Sequence, residues 1–129
     1  MTERPTAEEL LAAVRVTLLD EVLPKASPDL RYLLRMAAHA VEIALRDLDT
    51  RERTDRDDAA SAAALYGQTA TAPMDTIPAA RVQELNRRLA VDIRAGAFDT
   101  PTREIALRQH LMRVASAHTA ISNPKALKE

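Results

Sequence analysis

Residues 27–50, SPDLRYLLRMAAHAVEIALRDLDT, decide the fold class. Ser27 is a preferred N-cap and Pro28 is preorganised for the first helical position, so a helix starts here. Turning about 100° per residue, as the helical period requires, puts Leu30, Leu34, Ala37, Val41 and Leu48 on one side. Tyr32, Met36 and Ile43 form a second apolar strip well round from the first. Only the arc of Arg31, Arg35, His39, Glu42, Arg46 and Asp49 is polar. Such a helix needs cover on two sides, as the central helix of a bundle or as an interface helix. Tyr32, Met36 and Ile43 are the interface candidates, and Ala37, Ala38, Ala40 and Ala44 mark where another helix can come close.

The same signals repeat to either side. Thr6 and Glu9 have the spacing of a capping box, opening a helix to about Val22 with Leu11, Val14, Leu18 and Val22 on one face and Pro24 as its stop. After Thr50 the mixed charges of Arg51 to Asp58 read as a solvated loop and helix start, with Asp57 and Asp58 placed against a helix N-terminus. A short Ala-rich helix follows over Ala59 to Tyr66, ended by Gly67 in the left-handed conformation. Residues 67–77 lack periodicity and read as a flexible surface loop. A further helix runs from Pro78 to Gly96 through Val82, Leu85, Leu89 and Ile93. The last runs from Thr100 to about Ser122 through Leu107, Leu111, Val114, His118 and Ile121, leaving a frayed tail at 124–129. The expected architecture is all-α: one domain over 1–129, an antiparallel bundle of four main helices plus one short helix.

Composition agrees with helix and excludes several functions. The 129 residues are 47% hydrophobic with three aromatics, Tyr32, Tyr66 and Phe98, so Ala and Leu supply the apolar surface. The absence of Cys excludes disulfides, thiolate metal sites and cysteine nucleophiles. A net charge of -1 argues against binding nucleic acid or an anionic membrane by bulk charge. No run reaches the roughly 20 apolar residues of a membrane span, and the chain reads as a soluble cytoplasmic protein.

The motifs of chemistry are missing. His110 and His118 are eight apart and His39 lies on another helix, so no pair sits one turn apart to hold zinc, and no Glu-x-x-His pair suits a di-iron bundle. Two isolated helix-ending glycines cannot cradle a phosphate. No Ser stands in a Gly-flanked elbow, although a Ser–His–acid set can assemble in space. Arginines outnumber lysines fifteen to three but fan around the helices rather than forming one basic face. No catalytic residue, metal ligand or cofactor is assigned. Four polar residues sit on or beside apolar stripes, His118 and Asn86 within them, Arg35 and His39 on the helix of residues 27–50. His118 and Asn86 are each either a hydrogen-bonded core residue or the lining of a ligand pocket between helices, and Arg35 and His39 are either a solvated arc or, covered by a second subunit, interface or anion-site residues.

Several segments carry a family likeness. They are Arg4-Pro5-Thr6-Ala7-Glu8-Glu9-Leu10-Leu11, then Leu30-Arg31-Tyr32, Arg35-Met36-Ala37-Ala38-His39-Ala40, Ile43 and Arg46-Asp47-Leu48. Leu85-Asn86, Ile93-Arg94-Ala95-Gly96 and Asn123-Pro124 extend it over most of the chain except 51–77. Together they resemble a bacterial helical domain family of unknown function, whose members occur alone or C-terminal to aminoglycoside-phosphotransferase-like kinase domains, often near acyl-CoA dehydrogenase genes. At His39 that pattern has Asn. The resemblance implies a phosphotransferase-like partner and brings no catalytic residues.

Two functions follow as expectations. One is a non-catalytic interaction or accessory module that self-associates as a dimer through residues 27–50 or docks on the kinase-like partner. The alternative is a small-ligand binder or minor enzyme for an acyl or phosphorylated metabolite, using Arg35, His39, Asn86 and His118.

Overall fold

The computed structural model describes residues 3–67 and 78–128. Every regular element in it is helical: α1 (Ala7–Val16), α2 (Pro28–Ala64), α3 (Pro78–Arg94) and α4 (Pro101–Ser122), with short wide and tight helical turns at Thr17–Val22, Leu23–Lys25 and Pro124–Lys128. The four main helices are those the sequence leads one to expect. The tail contains the tight turn Pro124–Lys128, and the loop expected at 67–77 lies, after Gly67, outside the described residues. Among the described residues no helix is long and apolar enough to cross a membrane.

One expectation is corrected. Residues 51–58 are not a loop, and Ala59 to Ala64 does not start a separate helix; both stretches belong to α2, which has 37 residues and at 1.5 Å per residue is about 55 Å long, while Leu65 and Tyr66 lie in the turn after it. Opposite charges four residues apart hold the stretch helical, with Arg56 paired to Glu52 and, earlier, Arg46 Nη1 to Glu42 Oε1 at 3.1 Å. Gly67 follows the end of α2 with φ 72° and Gly96 the end of α3 with φ 81°. That left-handed geometry is where glycine is least strained.

By contact the chain divides into two units, Met1–Thr50 and Arg51–Glu129, and α2 contributes to each. In the first, Thr6 caps α1 by accepting the Glu9 N–H at 3.2 Å, while the Glu9 carboxylate turns to Arg4. Pro24 has no N–H to continue the helix, and the chain opens into the wide turn Thr17–Val22 just before it. The extra residue in that turn moves the inward face from Val22 to Leu23, so Val14 and Val22 are exposed while Leu11, Leu18, Leu19 and Leu23 are half-buried. On α2, Glu42 gathers Arg15 from α1 at 3.9 Å, His39 at 3.8 Å and Arg46. Ala38, 3% exposed, is the only buried hydrophobic residue among the described residues of this unit.

The second unit builds its core from small residues. Ala59, Ala62 and Ala63 of α2 pack with Leu85 of α3, and Val82 lies against them. Beside this cluster Tyr66 meets Phe98 edge to face, centroids 6.0 Å apart, with Arg88 over the Tyr66 ring at 3.8 Å and Arg103 over the Phe98 ring at 4.5 Å. The Tyr66 hydroxyl donates to Asp92 Oδ2 at 2.5 Å, and Arg103 Nη1 donates to the Ala97 carbonyl at 2.8 Å. These bonds join the end of α2, α3 and the turn before α4.

Candidate functional site

Within the second unit α4 lies antiparallel to the last turns of α2, and polar side chains pair across their contact. Ser61 Oγ stands 2.7 Å from His110 Nδ1. Three residues earlier on α2, Asp58 Oδ2 stands 2.9 Å from His118 Nε2, and Arg113 donates from Nη2 to the Asp57 carbonyl. Asp58 and His110 are each 5% exposed. The positions are set by helical spacing: Ala106, Gln109, His110 and Arg113 lie on one face of α4, and Ser61 and Ala64 on one face of α2 with Leu65 just past its end. An open cleft of about 390 Å³ lies between those two faces and is lined by these seven residues.

Burial governs the electrostatics. It pushes the pKa of His110 below its ordinary 6.5, against an upward pull from Asp58, and Arg113 adds to the lowering. The ring is therefore neutral at pH 7, with Nδ1 held by Ser61 and Nε2 without a hydrogen-bond partner among the described residues. A neutral imidazole at a serine hydroxyl is half of a nucleophile pair. The other half of acyl-transfer chemistry is a set of N–H groups aimed at an oxyanion, and Ser61 lies inside α2 where backbone N–H groups are committed to helical bonds. The cleft presents the Ser61 hydroxyl with Ala64 and Leu65 on its α2 side, and the Gln109 amide, His110 imidazole and Arg113 guanidinium with Ala106 on its α4 side.

The residues singled out from the sequence fall elsewhere. Arg35 and His39 are exposed on α2 in the first unit, and Asn86 is exposed on α3 in the second. His118 is no part of a buried stripe; its side chain is 56% exposed and caps the buried Asp58. The α4 residue that is buried is His110, eight positions earlier; the α4 face packed on α2 runs through Ala106 and His110, while Leu111 is exposed and His118 reaches Asp58 from the edge of the contact. Of the interface candidates Tyr32 and Met36 are exposed and Ile43 is half-buried. Among the described residues no group of three His, Asp or Glu could hold a metal ion.

Sequence reasoning missed Asp58, Ser61 and His110. With 51–58 read as a loop, Asp58 and Ser61 had no common helix face; read as helix, they sit three apart on one.

A family model described as Domain of unknown function (DUF6285) matches residues 24–126, which include the whole cleft. No curated protein and no solved structure matches the chain.

Proposed function

For this chain, which belongs to the DUF6285 family, we propose the role of a non-catalytic interaction module that pairs with a second copy of itself through its first unit. One observation carries the reading. Leu10 and Val14 on α1 and Leu30, Tyr32, Leu33 and Met36 on α2 are all exposed, Tyr32 to 67%, while among the described residues of the unit only Ala38 is a buried hydrophobic residue. Two helices bury one face each against the other and leave the rest wet, and a unit of this size buries too little to stand alone. Two such hairpins brought together make a four-helix bundle, the usual solution for short helical pairs. A two-fold dimer suits the strip because the same patch serves on both partners.

The family likeness of the α2 segment adds a phosphotransferase-like kinase as a second partner, and the module then works in the cytoplasm beside that enzyme. Light scattering tests the self-association. The intact chain gives the mass of a dimer, and Tyr32→Glu halves it with helicity by circular dichroism retained. A strict monomer for the intact chain overturns the proposal. For the heterologous partner, a purified phosphotransferase-like protein encoded beside this gene elutes with the chain on gel filtration; separate elution removes that part.

A further inference from the structure

We propose that the cleft between the end of α2 and α4 is a binding site for a small aliphatic monocarboxylate. It is independent of the self-association surface, since all its lining residues belong to the second unit.

His110 is 5% exposed with Nδ1 bonded to Ser61, while Nε2 has no hydrogen-bond partner among the described residues and still reaches solvent. The ring borders the cleft, so a ligand there completes it. With the Ser61 hydroxyl donating to Nδ1, the neutral ring carries its proton on Nε2 and offers a donor to that ligand. Arg113, one turn further along α4, uses one guanidinium N–H on the Asp57 carbonyl and has others to give. Gln109 adds an amide, so three donor groups share one wall. A carboxylate accepts from all three, with the guanidinium fork as the strongest contact.

Charge decides between carboxylate and phosphate. Arg113 is the one cation in the lining, and the buried Asp58 carboxylate acts on His110 from behind it. A single negative charge is balanced there and a doubly charged phosphate is not. Ala64 and Leu65 across the cleft from the donors, and Ala106 beside them on α4, present only hydrocarbon side chains. That surface suits a short alkyl chain, and the volume is near the low end for small-molecule sites.

Sodium butyrate is the probe, with butyramide and inorganic phosphate as comparisons, added to the intact chain while proton–nitrogen and imidazole resonances are followed by NMR. Butyrate produces saturable shifts at His110, Ser61 and Arg113. Arg113→Gln weakens that binding by about tenfold or more, the usual cost of losing a charge-assisted hydrogen bond. Arg108→Gln, an exposed arginine paired with Glu104 outside the cleft, leaves it unchanged. The proposal is overturned if butyrate gives no saturable shift, if butyramide binds as well, if phosphate binds more tightly, or if folded Arg113→Gln retains the affinity.

Discussion

Ser61 Oγ and His110 Nδ1 stand 2.7 Å apart across the contact of α2 with α4, joining positions 49 residues apart in the chain. This bond is the one that satisfies a buried imidazole in a core otherwise made of alanine and leucine, and its removal has a direction that depends on which partner is taken away.

Ser61→Ala leaves His110 Nδ1 buried without a partner and lowers stability by about 1–3 kcal/mol, read as a lower urea midpoint. His110→Leu in the Ser61→Ala background removes the orphaned group and recovers much of the loss. Equal destabilisation by the single and double variants would show that packing, and not the bond, holds this contact.

Acid weakens the fold through His110. Its folded pKa lies below the 6.5 of the unfolded chain, so below that value the unfolded state binds the extra proton and stability falls with pH. The contribution is complete above pH 6.5 and is lost as pH drops toward the lowered folded value. Urea midpoints measured between neutral pH and about pH 5 decline for the intact chain, and the decline is shallower in His110→Leu. Asp58, Asp57, Arg113 and His118 are the charged or titratable neighbours in this contact, and the variant keeps all four.

Tyr66 ionises late. Burial, then the hydrogen bond to Asp92 and the charge of Asp92, push its pKa from 10.0 up to about 12, against a smaller opposing effect of Arg88 and Arg103. In Tyr32→Phe the remaining phenol, followed by its ultraviolet absorbance, titrates near that value. Adding Asp92→Asn brings it down part of the way, because burial remains. A midpoint at 10 in the single variant would place Tyr66 in open solvent.

The continuity of α2 is tested by proline. At Arg53 it removes a helical N–H and clashes with the preceding turn, costing about 3 kcal/mol or more with loss of helical circular dichroism. A loop at this position would accept the substitution with little change.

The helices were legible because their ends carry strong local signals, such as Thr6, Ser27 with Pro28, Thr100 with Pro101, and glycines at 67 and 96. The stretch 51–58 was not, because its Asp and Thr residues favour caps and turns when weighed singly. Its helical signal lies in spacing: Arg51 with Asp55, Glu52 with Arg56 and Arg53 with Asp57 each stand four apart with opposite charge, and no Gly or Pro intervenes. The cleft was out of reach for a related reason. Which face of α4 is buried depends on α2, and the alternatives led by His110 and by His118 differ by less than a quarter turn of the helix. Ser61 and His110 are brought together only by that packing.

Among the described residues, four of the seven buried hydrophobic ones are alanines: Ala38, Ala59, Ala62 and Ala63. An alanine scan would therefore pass over most of the interior in silence, since the positions that matter already hold the scanning residue. The informative survey runs in the other direction, toward larger side chains, and Ala62, 1% exposed where α2 meets Leu85, is where an added isobutyl group should be least forgiven.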